Sequence, residues 1–174
     1  MTANHCPEEL TDKSDKCSPG LVADGEKIVL ILFDPETVSN GKLTATTISR
    51  KRLKKVGEFS VARAAYVSAD VAQREIVDKR TSNDPKLQFI GAAVALAGEI
   101  RATGVSESLP RLFCVFDDPI APDLCGHAVI TFSAFTRADK FWEKKSNDAL
   151  AATGNLLILF EKSGVPLDLK DCFP

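Results

Sequence analysis

Between Lys27 and Phe33 the chain reads Lys-Ile-Val-Leu-Ile-Leu-Phe, an unbroken aliphatic and β-branched run that stops at Asp34-Pro35. A run this short cannot build a buried helix, and proline closes it off, so it reads as a β-strand. Side chains alternate across a sheet, so apolar residues at successive positions imply a strand covered on both faces. Any fold for this chain has to bury that strand.

The rest of the sequence supplies the material to do so. Ser39-Asn40-Gly41 is a turn signal, and Leu43 to Thr47 returns to an extended pattern. Phe59 to Val67 alternates as a second strand, with Phe59, Val61, Arg63, Ala65 and Val67 on one face. Ser68 is a good N-cap and Asp70 suits a first helical turn, so a helix is expected from Ala69 to about Arg80, before Ser82-Asn83-Asp84-Pro85. Lys86 to Thr103 is rich in alanine and suits a buried helix on propensity, but its period does not decide between helix and strand.

Arg111 to Phe116 and Ala128 to Phe132 read as strands on either side of a polar, proline-stiffened loop. Thr136-Arg137-Ala138-Asp139 has the form of a capping box, and Ala138, Phe141, Trp142, Ala149 and Leu150 share a helical face. This predicts a helix from Arg137 to about Thr153 that stops at Gly154-Asn155, then a short last strand over Leu156 to Phe160. Gly164 and Pro166 open a terminal coil. The expected architecture is α+β, a mostly antiparallel sheet of about four to six strands with two main helices packed on it.

At 174 residues, 44% apolar and 26% charged, the chain has the size of one ordinary soluble domain. Residues 1–25 are polar and without apolar period, and read as a disordered tail ahead of a single α+β domain over 26–174. A net charge of −2 offers no global attraction to nucleic acid or anionic lipid. No apolar stretch nears the roughly 20 residues that span a bilayer, and the N-terminus lacks the pattern of a signal peptide, so a cytoplasmic protein without a membrane partner is expected. The five cysteines, Cys6, Cys17, Cys114, Cys125 and Cys172, are odd in number and scattered, which is poor material for a disulfide framework. Cys114, in mid-strand, reads as a small buried hydrophobe. His5, Cys6 and Cys17 lack the paired spacing of a zinc site, and no metal or cofactor is expected.

Four pieces, Ser60-Val61-Ala62-Arg63, Glu99-Ile100-Arg101, Asp118-Pro119 and His127-Ala128-Val129-Ile130, resemble a family of small uncharacterised bacterial proteins. In that family a Ser-Val-x-Arg strand leads through a helix and a further strand to a proline loop closing on His-Ala-x-Ile. The resemblance runs from about Ile28 to Ala152, and where those proteins carry Asn-Pro before the histidine this chain has Leu124-Cys125-Gly126. It implies a fold and no activity. It also favours a strand over Val94 to Ala102.

Two sets of residues are candidates for function. Arg63, Glu99, Arg101, Asp117, Asp118 and His127 each fall near a predicted strand end; an imidazole could move a proton and two guanidinium groups could hold a phosphate. His127 can equally secure a turn by bonding backbone carbonyls. The basic run Arg50, Lys51, Arg52, Lys54 and Lys55 is a solvated surface or an anion site. No Gly-rich phosphate cradle or nucleophile elbow accompanies either set. Three readings stay open: a binding or interaction module with a protein partner, a small enzyme acting on a nucleotide or phosphate-bearing substrate with His127 as acid or base, and a nucleic-acid binder led by the basic run.

Overall fold

The computed structural model describes residues 6, 9, 17–40, 42–43, 58–104, 112–132 and 147–174. Its centre is an antiparallel five-stranded sheet of β1 (Lys27–Asp34), β4 (Glu58–Arg63), β5 (Gln88–Leu96), β6 (Phe113–Asp117) and β7 (His127–Phe132). The strands lie in the order β5-β1-β4-β7-β6. A separate two-stranded hairpin pairs β2 (Val38–Ser39) with β3 (Lys42–Leu43) around Asn40, whose φ of 53° is the left-handed turn conformation that asparagine tolerates. The protein is α+β.

The apolar run at Lys27–Asp34 lies inside the sheet between β5 and β4, and its residues divide between two cores. Ile28, Leu30 and Leu32 face the first, with Val61, Ala93, Val115 and Ile130. Val29, Ile31 and Phe33 face the second, with Ala62 and Ala92. Burying one such side chain is worth about 1.5–3 kcal/mol, so a strand that buries both faces anchors both layers.

The first face is covered by α3 (Asn147–Glu161) through Ala152, Leu156, Leu157 and Phe160, and by Ile100 of α2 (Ala97–Ala102). The second is covered by the helix over 69–83, α1, and by α4 (Leu169–Cys172). Ser68 caps α1, its hydroxyl accepting from the Val71 N–H at 3.2 Å. The middle of α1, Ala72–Asp78, is wound as a π-helix, and the helix continues to Asn83 before Pro85 prevents more.

Three expectations need correction. Gly154-Asn155 does not end α3, because the apolar side chains at Leu156, Leu157 and Phe160 gain more by packing on the sheet than the roughly 1 kcal/mol that a mid-helix glycine costs. The strand expected over Leu156 to Phe160 is therefore helix, which ends before Gly164 at φ 77°. Residues 86–103, for which period left helix and strand open, are both: Gln88–Leu96 pairs with β1 along its length and the chain turns helical at Ala97, so the strand favoured over Val94 to Ala102 ends at Leu96. Alanine's helical propensity loses in Gln88–Leu96 because small residues let the covering layers approach an interior face. The start of the helix expected at Arg137 lies outside the described residues, as does the basic run Arg50 to Lys55.

The N-terminal segment is a further correction at the residues described. Cys6, Glu9 and Val22 are buried, and Cys17 to Glu26 runs along the sheet into β1. What holds it there is also what the candidate residues do.

Candidate functional site

Arg63 closes β4, and its side chain is completely buried although it is the last residue of a strand. All five of its donors are engaged. Nε and Nη2 grip both carboxylate oxygens of Glu26 at 2.8 Å each, Nη1 donates to Asp117 Oδ1 and to the Gly20 carbonyl at 2.7 Å each, and Nη2 reaches the Leu21 carbonyl at 3.5 Å. Its guanidinium also stands 4.5 Å from the centre of the Tyr66 ring. Burial works to lower its pKa, but the bonds and charges of Glu26 and Asp117 outweigh this and hold it above the ordinary arginine value. Arg63 is a fixed cation.

Arg101, on α2, is buried as completely. Its Nε donates to Glu9 at 3.0 Å, Nη1 to Asp24 at 2.6 Å, and Nη2 to the carbonyls of Val22 at 2.8 Å and Val115 at 3.3 Å. The other oxygen of Glu9 accepts the Val115 N–H at 2.8 Å. Val115 lies on β6, an outer strand, so Arg101 and Glu9 together satisfy a carbonyl and an N–H that an edge strand would expose. Glu99 serves the same helix, its carboxylate accepting the Leu96 N–H at 3.4 Å.

The two arginines therefore do not converge on an open cavity. Each binds carboxylates and carbonyls of the segment between Glu9 and Glu26, and each is the charge that makes burial of those acids tolerable. Ser18 adds a hydrogen bond to Asp117.

Covalent bonds reinforce the attachment. Cys6 is bridged to Cys114 with a Cα separation of 5.8 Å, and Cys17 to Cys125 at 5.3 Å; each bridge joins residues 108 apart in sequence. The expectation that the cysteines form no disulfide framework is overturned, and Cys114 is not a free buried thiol. Local spacing carries no trace of such pairs, because the sheet alone brings residues 108 apart together. Cys6, Glu9 and Cys114 have potential ligand atoms within 4.8 Å of one another, but the two sulfurs are bonded together and Glu9 serves Arg101 and Val115. Cys172 is the free cysteine, its thiol pushed up in pKa by burial and by the charge of Asp171.

His127 begins β7 and is 7% exposed. Its Nδ1 lies 2.6 Å from the Asp118 carbonyl and 3.2 Å from Asp118 Oδ2, while its backbone N–H donates to Leu124 and its carbonyl accepts from Asp118. Between them Ile120 and Leu124 exchange both backbone hydrogen bonds, so the proline loop is a closed turn rather than an open strap. Gly126 permits the loop to lie against Tyr66 and Val67; a β-carbon there would come within 2.6 Å of the Val67 side chain.

What this end of the molecule leaves outside is apolar. Leu21, Tyr66 and Ile120 are 46%, 48% and 51% exposed, on three segments that Arg63 and the Cys17–Cys125 bridge bring together. Asp70 and Asp123 are exposed, both near enough to act on the Arg74 guanidinium. Exposure of that kind was not readable from the sequence, where Leu21 fell in the expected tail and Tyr66 in a strand. Among the described residues no helix is long and apolar enough to cross a membrane. Scans against protein-family models, curated proteins and solved structures each returned no match.

Proposed function

We propose that the protein is a binding or interaction module whose contact face is formed by Leu21, Tyr66 and Ile120, with Asp70, Asp118 and Asp123 at its rim. The observation that carries this reading is the contrast within one small region. Every buried polar side chain described there is satisfied internally, with Arg63 at the centre, while three large apolar side chains from three different segments are left half exposed. Rigid, exposed aromatic and aliphatic groups over a satisfied polar base are what protein contacts use as anchors. Asp70 and Asp123 act on the exposed Arg74, so the rim carries charge of both signs.

The alternative of a nucleotide-directed enzyme draws less support, since Arg63 and Arg101 are spent on internal carboxylates and the His127 Nδ1 is held by Asp118. The two disulfides favour an oxidising compartment over the cytosol as the place where the protein works.

The test compares capture of a partner from the native source by the wild type, by Tyr66→Ala with Ile120→Ser, and by Ile158→Ser. Ile158 is a control, an equally exposed apolar residue (52%) on α3. The reading expects the double variant to lose at least about tenfold in affinity, about 1.4 kcal/mol, with the control unaffected. Equal loss in both, or no difference from the wild type, would count against it.

A further inference from the structure

The two disulfides differ in a way that bears on this contact face, and the inference rests on the interaction reading above. Cys6 and Cys114 are 2% and 0% exposed, sealed beneath the β6 edge with Glu9 and Arg101. Cys17 and Cys125 are both only half-buried, and they lie in the same segments as Leu21 and Ile120. Access of a thiolate to a sulfur along the S–S axis governs how fast a disulfide exchanges, so the pair is kinetically unequal.

The half-buried bridge also stands at a mechanical junction. On one side is the segment that carries Leu21, held to Arg63 through the carbonyls of Gly20 and Leu21. On the other is the turn that carries Ile120, held to the sheet through His127, Asp118 and Leu124. The hydrogen bond from Ser18 to Asp117 is a further link across this gap, and it is partly solvated. Arg63 bonds one side through its guanidinium and holds both ends of the other, Asp117 through Nη1 and the Gly126 carbonyl through its backbone N–H at 2.8 Å; no described hydrogen bond of Arg63 falls on residues 119–125. The covalent link adds the tie from Cys125, inside that stretch, to the segment that carries Leu21.

We propose that Cys17–Cys125 is a redox latch on the contact face, and Cys6–Cys114 a permanent staple. A dithiol reductant supplies the electrons. One of its thiolates attacks the sulfur of Cys17 or Cys125, the S–S bond breaks, and the other cysteine leaves as a thiolate that takes a proton. The second thiol of the reductant then resolves the mixed disulfide, leaving two protein thiols and an oxidised, cyclic reductant. Opening removes the covalent tie between residues 119–125 and the segment at 18–22, while the buried staple and both arginine clusters keep the N-terminal segment on the sheet.

The experiment titrates the full-length native protein with dithiothreitol, alkylates the thiols formed, and reads by mass which cysteines have opened and how fast amides exchange. The expected result is that Cys17 and Cys125 are modified at least about tenfold faster than Cys6 and Cys114. Exchange then rises in peptides covering 18–22 and 119–125, and stays unchanged across β1 and β5. The variant Cys17→Ser with Cys125→Ser should show the same loosening without reductant. Simultaneous opening of both bridges, opening of the buried one first, unchanged exchange after the latch opens, or failure of the double variant to fold would each overturn the proposal. None of these outcomes depends on a partner, so failure of the latch and failure of the interaction reading are told apart.

Discussion

The five-stranded sheet has two outer strands, β6 and β5, and the protein closes them by opposite means. At β6 the N-terminal segment brings a charged residue, Glu9, which takes the Val115 N–H while Arg101 takes the Val115 carbonyl, and a disulfide seals the place. At β5 the C-terminal segment behaves like one more short piece of strand. Leu167 exchanges both backbone bonds with Ala92, at 2.9 and 2.8 Å, and the Ser163 hydroxyl accepts the Val94 N–H at 3.2 Å. Both edges are protected from pairing with another chain. The β6 closure spends ionic and covalent interactions that exist only if distant residues meet, whereas the β5 closure uses backbone groups and a glycine that any neighbouring segment of suitable shape could meet.

The comparison is broken most severely at Arg101. Arg101→Ala leaves the Glu9 carboxylate buried without its cation and removes the donor that bonds the carbonyls of Val22 and Val115, so a loss of about 3–5 kcal/mol is expected. A urea titration that finds less than 1 kcal/mol would mean that the β6 closure is not held by charge.

The corresponding break at β5 is smaller. Gly91 has a φ of 136°, and a β-carbon there would lie 2.7 Å from the Pro166 side chain and 2.8 Å from the Leu167 carbonyl oxygen. Gly91→Ala is expected to cost about 1–3 kcal/mol from backbone strain and to lift the C-terminal segment. Cys172 reports the lift directly: its raised pKa keeps the thiol protonated and slow to alkylate at pH 8, and the variant should alkylate faster. An unchanged alkylation rate would show that α4 stays seated without the β5 closure.

Ser163→Ala sharpens the contrast at the low end. It removes one neutral acceptor from the Val94 N–H at a partly buried position, for which about 0.5–1.5 kcal/mol is expected in the same titration. A cost as large as that of Arg101→Ala would erase the distinction between the two edges.

The sheet and most of its strands were readable before any coordinates, since Lys27 to Phe33 and the two runs beside the proline loop carry period and composition that local rules resolve, whereas the strand expected over Phe59 to Val67 ends at Arg63, where Ala64–Tyr66 winds into a 3-10 turn. The Ser68 cap was readable for the same reason. The candidate residues were identified as polar groups near strand ends, and there Arg63 and His127 do sit, while Arg101 lies in α2. Their partners were not legible, because Glu9, Asp24 and Glu26 lie in a stretch with no apolar period, and the sequence does not say which of many carboxylates a buried guanidinium will find.

By itself the amino-acid sequence determined the α+β class, the doubly buried strand and the turn that ends at His127, because each of these follows from the order of neighbouring side chains. Tertiary structure alone decided that Gly154 lies within a helix, that an alanine-rich run splits into strand and helix, and that four scattered cysteines pair. The physical reason is the same in each case. These outcomes depend on contacts between residues far apart in the chain, and their free energy, from buried apolar surface, desolvated ion pairs and covalent bonds, exceeds the local preference of roughly 1 kcal/mol or less per residue that a sequence displays.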